Sequence, residues 1–582
     1  MRKILSYLKL YRKEAILGPL FKLLEASFEL LIPLVVADII DVGIAGQDMS
    51  VIIRDSILMA ALGLIGMLFA ITAQYFSAKA AVGLAASVRR ELFAHIQSLS
   101  YSRAQTVGTD TLLTRITSDI NQVQTGLNLA LRLLLRSPFI VFGAMIMAFT
   151  VNVRAALIFA VTIPVLAAIV FGIMRLTTPR YKKVQAKLDT LLGMTRQNLT
   201  GVRVIRAFNN EEKELGDFLN ENDTLTHMQQ AVGRISALMN PLTYVIVNLA
   251  TAALIYYGAL RVDAGELTRG QVVALVNYFA QILVELIKFA NLIVTISKAI
   301  ASADRISDVL DIEAGDERIS SDAKAEDACI VFDHVSLTYP NAGAESLSDI
   351  DFSVGHGQTL GIIGGTGSGK SSVIDLIPRF FDATGGSVRV DGMDVRAYDT
   401  EKLRNKIGLV PQKAVLFKGT IRSNLLLADP DADEKTMWEA LRIAQAEDFV
   451  REKSGGLDAE VAQEGRNFSG GQRQRLTIAR ALVRKPEILI LDDSASALDY
   501  MTDAKLRRAI READPEMTVV IVSQRTASVR FADKIAVLDD GRICGLGTHD
   551  ELMENCPVYR EIYDSQFKKS SREGEVNDEE QS

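Results

Sequence analysis

The first half of the chain alternates long apolar stretches with polar connections. Six of the stretches are long enough to cross a bilayer, which takes about 20 helical residues. They lie at residues 15–41, 55–79, 135–152, 155–176, 240–261 and 268–294. The connections at 80–134 and 177–239 are long, polar and helix-like, so we expect membrane helices that continue into the cytosol and turn back. This pattern predicts an all-α, six-helix membrane domain over residues 1–301.

The second half has a different periodicity. From residue 329 to 568, short apolar runs such as TLGIIG, ILIL and TVVIVS alternate with amphipathic helix patterns. Such alternation is typical of a cytosolic α/β domain built on a parallel sheet. The polar stretch 302–328 is interpreted as a linker, and the acidic residues 569–582 are predicted to form a disordered tail.

The charge distribution and the cysteine content indicate where the protein lies in the cell and exclude one class of function. Lys and Arg are concentrated in the two long connections, so the positive-inside rule places these and both termini in the cytoplasm of a plasma membrane protein. A net charge of -7 and the membrane stretches exclude a nucleic-acid binder. The three cysteines, Cys329, Cys544 and Cys556, show no metal-ligand spacing and are interpreted as reduced cytosolic thiols.

A glycine-rich segment follows the strand TLGII. Its sequence, GGTGSGKSS, fits the phosphate-binding pattern G-x-x-x-x-G-K-[ST]. Backbone N–H groups would surround phosphates, Lys370 would reach the terminal phosphates, and the Ser371 hydroxyl would contact Mg²⁺. A chance glycine-rich turn is the alternative, but the preceding strand and the helix-like sequel argue against it. The predicted phosphate-binding residues are Gly364, Gly365, Thr366, Gly367, Ser368, Gly369, Lys370, Ser371 and Ser372.

A second glycine pair precedes a helix pattern. In FSGGQRQRLTIARAL, residues 469–471 lie where free N–H groups and the helix dipole favour an anion. An ordinary serine N-cap is the alternative. The position of this stretch some twenty residues before ILILDD favours the anion site.

In this order after the membrane stretches, the glycine-rich loop, SGGQ and ILILDD resemble an ATP-binding cassette exporter half-transporter, over nearly the whole chain. The resemblance implies two cassettes that close head to tail, with each ATP between one chain's phosphate loop and the other chain's SGGQ. It assigns adenine stacking to Tyr339, for which a core tyrosine is the alternative. It further implies Mg²⁺ contacts from Ser371, Gln412 and Asp492, signature contacts from Ser469, Gly470, Gly471 and Gln472, and a contact to the opposite site near Asp499.

Two positions depart from the family pattern. The residue after the Mg²⁺ acid is a glutamate in the family and positions the attacking water, whereas here it is Asp493. The family histidine that contacts the γ-phosphate is replaced by Gln524. Aspartate is one methylene shorter, and a misplacement of about 1 Å costs on the order of 100-fold in rate. Glutamine offers only a neutral hydrogen bond.

This pairing resembles the degenerate-site subunit of heterodimeric bacterial multidrug exporters. It implies that ATP is held and slowly turned over at this chain's own site, while its signature completes the main catalytic site with an unlike half-transporter. The expected function is ATP-coupled export of amphipathic small molecules, drugs or lipids. Neutral drift, a homodimeric exporter with Asp493 as base, and a non-pumping ATP-gated channel or regulatory subunit stay open.

Polar residues also lie within the membrane stretches. Ionisable groups at membrane depth usually face the bundle interior or a wet cavity. They are Lys22, Glu25 and Glu29 in the first stretch and Asn277, Gln281, Glu285 and Lys288 on one face of the last. A cavity for amphipathic, cationic compounds and plain helix–helix contact, or snorkelling of the lysines, are both open.

Overall fold

The computed structural model describes residues 2–315, 319, 327–340, 342–494 and 496–567. The predicted tail, 569–582, and most of the predicted linker lie outside the described residues. The chain forms two compact units, one from residues 1–97 and 109–313 and the other from residues 98–108 and the chain from 314 onward. The segment 98–108, expected in the membrane domain, therefore belongs with the second unit.

The first unit is helical, as predicted. Short 3-10 and π turns join some of its helices. With the short helix α4 of the second unit included in chain order, the helices are α1 (Arg2–Ser6), α2 (Arg12–Asp38), α3 (Met49–Ser98), α4 (Tyr101–Val107), α5 (Thr109–Thr114), α6 (Ile120–Leu133), α7 (Arg136–Val151), α8 (Val153–Thr200), α9 (Val202–Ala207), α10 (Glu211–Ala237), α11 (Met239–Asp263) and α12 (Arg269–Leu310). Because α12 continues to Leu310, the first residues of the predicted linker are helical.

Five helical segments within the described residues are long and apolar enough to cross a membrane. They are Met49–Ser98, Thr109–Val151, Val153–Thr200, Glu211–Asp263 and Arg269–Leu310. The sixth predicted stretch, 15–41, falls largely on α2 but is not among the five. Lys22, Glu25 and Glu29 all fall within any membrane-length window of this helix, which lowers its hydropathy.

Small side chains and defined caps organise the helical unit. Alanines at the centre of the bundle, such as Ala26, Ala144 and Ala274, are fully buried, which lets helix backbones approach closely. The Tyr278 hydroxyl of α12 donates a 2.7 Å hydrogen bond to the Leu30 carbonyl of α2. The N-terminus of α12 is closed by a capping box between Thr268 and Gln271. As a result, α12 is fixed against α2.

The second unit is an α/β fold with three sheets. Its strands are β1 (Ala328–Leu337), β2 (Leu347–Gly355), β3 (Thr359–Gly364), β4 (Gly385–Val390), β5 (Met393–Asp394), β6 (Ile407–Val410), β7 (Gly419–Thr420), β8 (Glu460–Val461), β9 (Ile488–Asp492), β10 (Thr518–Val522), β11 (Lys534–Asp539) and β12 (Arg542–Gly547). Its further helices are α13 (Lys370–Leu376), α14 (Thr400–Asn405), α15 (Ile421–Leu425), α16 (Glu434–Ile443), α17 (Glu447–Glu452), α18 (Gly470–Val483), α19 (Tyr500–Ala513), α20 (Thr526–Val529) and α21 (His549–Asn555).

The largest sheet positions the chemistry. Its strand order is β12-β11-β3-β10-β9-β6, and every neighbouring pair except β11–β12 is parallel. A second sheet has the order β2-β1-β4-β5. Four parallel strands, β3, β6, β9 and β10, end together, just before the glycine-rich loop, Gln412, Asp493 and Gln524. Ligands of open α/β sheets bind outside this carboxyl edge.

Candidate functional site

A cavity of about 450 Å³ opens at the carboxyl edge of the parallel sheet. It brings together ten of the residues predicted from sequence: Thr366, Gly367, Gly369, Lys370, Ser371, Ser372, Gln412, Asp492, Asp493 and Gln524. A larger cavity of about 710 Å³ lies between α19 and β10, but none of the predicted residues lines it. The residues predicted to bind nucleotide and Mg²⁺ therefore meet at the smaller cavity.

The glycine-rich loop wraps around its own lysine. Gly369, immediately before α13, has φ of 94°, a conformation that a side chain disfavours. A Cβ atom on Gly364 would lie 2.2 Å from the Leu538 carbonyl oxygen. Lys370 Nζ donates to the carbonyl oxygens of Gly364 and Gly365 at 3.1 and 2.5 Å. These bonds hold the ammonium group beside the position predicted for phosphates.

Burial sets the electrostatics of this lysine. It lowers the pKa of Lys370, and the charges of Asp493 and Asp492 offset only part of the effect. Neither carboxylate forms a hydrogen bond with Nζ, whose acceptors are neutral oxygens. The positive charge of Lys370 is therefore not neutralised by direct contact with an acid. A bound phosphate would neutralise it.

Two adjacent acids face the lysine. Burial raises the pKa of Asp492, and the charge of Asp493 raises it further. Burial likewise raises the pKa of Asp493. Such a pair is stabilised by a bound cation. Together with the Ser371 hydroxyl and the Gln412 amide on the same cavity wall, these oxygen donors fit Mg²⁺.

The two altered positions face the same cavity. Asp493 has φ of 43°, and its N–H donates to the Val522 carbonyl at 2.9 Å, which fixes the turn after β9. Gln412 Nε2 lies 3.5 Å from Asp493 Oδ2 and donates to it. The backbone carbonyl of Gln524 accepts a 2.8 Å hydrogen bond from Gln566. Both departures from the family pattern therefore line one cavity.

Other predicted residues lie away from this cavity. Gly364, Gly365 and Ser368 instead contact Lys370, whose Nζ donates a hydrogen bond to an oxygen of each. The Tyr339 hydroxyl donates to Ser372 Oγ at 2.9 Å, and its ring packs edge-on against Phe381. Asp499 caps α19 by accepting from the Thr502 N–H at 2.8 Å.

The predicted signature starts the fourteen-residue helix α18. Ser469 and Gln472 form a reciprocal capping box, in which the Ser469 N–H donates to Gln472 Oε1 at 3.0 Å. Ser469 and Gly470 are exposed, and a Cβ atom on Gly470 would meet nothing within 4 Å. A Cβ atom on Gly471 would lie 3.1 Å from the Ala497 carbonyl oxygen. Ser469 is therefore an N-cap, as the alternative interpretation had it, and the surface beside Gly470 is also open.

Sequence reasoning missed part of the cavity wall. Glu345, Ser346, Asp540 and Gly541 also line it. The Asp540–Gly541 turn joins β11 to β12, and the Asp-Gly pair is a hairpin signal that could have marked it as a loop. Nothing local could have placed this hairpin beside the glycine-rich loop, because the Gly541 N–H reaches the Ser368 carbonyl over 170 residues of sequence.

The polar membrane residues converge on an arginine that sequence reasoning also missed. Arg136 of α7 is buried and donates to Glu285 and Glu29 at 2.6 Å each. Glu285 also accepts from Ser137 at 2.7 Å and from Lys288 at 2.8 Å. Three carboxylates, Glu25, Glu29 and Glu285, are thereby matched by three cations, Lys22, Arg136 and Lys288. Glu285 therefore connects α12 to α7.

A cavity of about 380 Å³ adjoins this cluster. Glu29, Asn277, Gln281, Glu285 and Lys288 line it beside apolar groups such as Ile32 and Val284. Gln281 Oε1 is buried and has no hydrogen-bond partner among the described residues. These residues therefore connect helices and also line a cavity.

A helical unit with membrane-length helices and an α/β unit with a phosphate loop together define an ATP-driven membrane transporter. Models of known families match both parts: the ABC transporter transmembrane region over residues 15–286 and the ABC transporter domain over residues 347–496. The chain belongs to the ABC transporter family, as an exporter half-transporter that couples ATP use to transport. Its ABC domain implies ATP binding and hydrolysis.

Similar proteins extend over the whole chain. The ABC transporter ATP-binding protein MT1311 of Mycobacterium tuberculosis is 37% identical, covering 96% of this chain and 97% of its own length. YfiB of Bacillus subtilis is 34% identical over 99% of both chains. YheI, a probable multidrug resistance ABC transporter of Bacillus subtilis, is 36% identical over 68% of both.

A solved structure supports the fold. The structure of a bacterial Atm1-family ABC exporter with ATP bound matches with a TM-score of 0.78 and 24% identity, covering 96% of this chain and 98% of its own. It confirms the architecture of a helical transmembrane domain followed by an α/β nucleotide-binding domain.

Proposed function

We propose that this chain is the slow-site half of a heterodimeric exporter in the plasma membrane, with its α/β unit in the cytoplasm. Its own cavity binds ATP·Mg²⁺ and turns it over slowly. One observation carries the proposal: Asp493 and Gln524 line a cavity whose phosphate loop, Lys370 and Asp492 are otherwise complete. Both replacements affect the step in which water attacks the γ-phosphate, while the groups that hold ATP are retained.

The geometry explains the division of labour. Asp493 is shorter than glutamate by one methylene and is held toward Gln412, so its carboxylate is displaced from the position that a glutamate would reach. Gln524 carries no charge at any pH, so it stabilises the γ-phosphate less than a protonated histidine. Binding survives these changes because it depends on Lys370, Ser371 and Asp492.

The second half of the proposal concerns the partner. Exposed Ser469 and Gly470 at the start of α18 would complete the catalytic site of an unlike half-transporter, where the fast hydrolysis takes place. Amphipathic small molecules are the proposed cargo. The balanced charges and apolar groups around the 380 Å³ membrane cavity support this class, as does the multidrug name of one relative.

The test is ATP turnover by the chain alone, reconstituted in lipid, compared with the double variant Asp493→Glu, Gln524→His. We expect a nearly inert native chain and a gain of at least about tenfold in the double variant, since correct positioning is worth up to about 100-fold. Lys370→Ala added to the double variant should abolish the gain, which shows that the activity arises at this site.

Brisk turnover by the native chain, abolished by Lys370→Ala, would contradict the proposal and establish a homodimeric exporter in which Asp493 serves as base. An ATP-driven solute gradient in sealed vesicles containing both subunits would separate a pump from an ATP-gated channel, because a channel only dissipates a gradient.

A further inference from the structure

The strand beginnings of the second unit bring together three potential metal ligands. Cys329 lies in β1, His356 lies between β2 and β3, and Asp391 lies between β4 and β5. They are at the edge opposite the nucleotide cavity, because β3 starts beside His356 and ends at the glycine-rich loop. Neither the transport activity nor the ATP site uses any of them.

Their ligand atoms converge. One atom from each residue, Cys329 Sγ, a His356 ring nitrogen and an Asp391 carboxylate oxygen, lies within 4.8 Å of the other two. His356 Nε2 and Asp391 Oδ1 are 3.8 Å apart. A 2.9 Å hydrogen bond from the Asp391 N–H to the Cys329 carbonyl holds the turn against the strand. No second group of this kind occurs among the described residues.

One of these atoms lacks a partner. Asp391 Oδ2 accepts a 2.8 Å hydrogen bond from Lys406 Nζ, but Oδ1 is buried and has no hydrogen-bond partner in the described part of the chain. A buried acceptor without a partner is costly and needs an explanation. His356 Nε2 lies 3.8 Å from this oxygen and belongs to a side chain that is 58% exposed.

We propose that Cys329, His356 and Asp391 bind a divalent transition ion, with Zn²⁺ as the best match. Zn²⁺ takes thiolate, imidazole and carboxylate ligands at about 2.0–2.3 Å, which puts neighbouring ligands roughly 3.2–3.7 Å apart in a tetrahedron. The three atoms, all within 4.8 Å of one another, would have to approach by up to about 1.6 Å. Rotation of the exposed His356 ring can shorten the two distances that involve its own nitrogen, and the Cys329–Asp391 distance depends on a small shift of the β4–β5 turn. Water takes the fourth position, and the thiol proton is released to solvent.

The donor set excludes the nucleotide's own cation. Mg²⁺ and Ca²⁺ prefer ligand sets made only of oxygen atoms, so a site with sulfur and nitrogen donors discriminates against both. The ion would connect the four-stranded sheet, which contains β1 and the β4–β5 turn, to the segment that starts β3 of the large sheet. Its binding should therefore stabilise the second unit.

The test uses the full chain in lipid nanodiscs, with any affinity tag removed and metals stripped by a chelator. Co²⁺ is the probe, because thiolate ligation gives a near-ultraviolet charge-transfer band and tetrahedral geometry gives strong visible bands. We expect one Co²⁺ per chain, displaced by one Zn²⁺ and not by excess Mg²⁺. Zn²⁺ should also raise the unfolding temperature of the native chain.

Three variants decide the assignment. Cys329→Ser should remove the charge-transfer band, and His356→Gln and Asp391→Asn should each weaken Co²⁺ binding at least tenfold. Cys544→Ser is the matched control, because this exposed thiol lies in the same unit and should change nothing. His356→Gln keeps the test valid if buried Cys329 tolerates no replacement. The proposal is wrong if no charge-transfer band forms, if His356→Gln binds Co²⁺ as tightly as the native chain, or if Cys544→Ser removes the band.

Discussion

Two lysines at opposite edges of the same sheet have similar neighbours and opposite behaviour. Lys370 follows β3 and faces Asp492 and Asp493, whereas Lys406 precedes β6 and faces Asp391 and Glu487. Burial alone lowers the pKa of both. For Lys406, hydrogen bonds of 2.8 and 2.7 Å to its two acids reverse the effect and raise the pKa.

The difference lies in hydrogen bonding, not in composition. Lys406 donates directly to both of its carboxylates, so it is already neutralised and serves structure. Lys370 donates to carbonyl oxygens, and its acids act only through space. A binding site for phosphate needs this second arrangement, because a lysine already paired with a carboxylate would have to break that pair first.

The largest effect expected from this comparison is on ATP affinity. Lys370→Met should weaken ATP binding by about 30- to 150-fold, since it removes a charge-assisted contact to phosphate of roughly 2–3 kcal/mol. Lys406→Met, which removes the same charge from the other edge, should leave ATP affinity within twofold. ATP titration of the reconstituted chain measures both, and equal losses in the two variants would refute the assignment.

The second-largest expected effect is on stability, and here Lys406→Met is the more affected variant. Lys406→Met should lower the free energy of unfolding of the second unit by about 2–3 kcal/mol, because it leaves Asp391 without its cation. Lys370→Met should not destabilise the ATP-free protein, since it removes a buried cation that forms no ion pair within the described part of the chain. The fluorescence of the single tryptophan, Trp438 in α16, follows the unfolding of this unit.

A double variant sharpens this stability test. Lys406→Met with Asp391→Asn should be less destabilised than the sum of the two single changes, because the largely buried Asp391 charge is removed with its partner and the remaining carboxylate, Glu487, is 59% exposed to water. Strict additivity would show that the two side chains do not interact.

The smallest effect concerns Asp375, an acid of α13 that has no cationic partner among the residues that the structure describes. Burial, with a smaller contribution from Asp492, raises the pKa of Asp375 to about 6. A pKa raised by folding adds stability below the ordinary value near 4, and this stability is lost as the pH rises through 6. Asp375→Asn should therefore be more stable than the native chain above pH 6, by about 1–2 kcal/mol.

That advantage should vanish below about pH 3, where the native carboxyl is protonated in both the folded and the unfolded state. Unfolding of the full chain across this pH range, followed at Trp438, measures it. The exposed Asp431→Asn is the control and should show no such trend. A native chain that stays as stable as Asp375→Asn at pH 8 would contradict the assigned protonation.

Local sequence predicted much of the nucleotide site. Asp492 is the last residue of β9, and the glycine-rich loop, Asp493 and Gln524 come at or shortly after the end of a strand. Parallel strands carry their final residues to one edge. The same logic failed for Glu345 and Asp540, because hairpin turns approach that edge through tertiary contacts. It also failed for Arg136, which begins an apolar helix. The role of this arginine depends on its ion pairs with Glu29 and Glu285 on other helices.

By itself, the sequence determined the membrane helices, the order of the two units and the phosphate loop, since each is written in one continuous segment with its own periodicity or spacing. Only the tertiary structure decided which charges pair and which stay available. No sequence pattern pairs Lys406 with Asp391 and Glu487, and Cys329 shows no metal-ligand spacing, yet folding gives each of them defined neighbours. Hydrogen bonds and ion coordination act over a few ångströms in space, and residues from distant segments meet at that range only after the chain has folded.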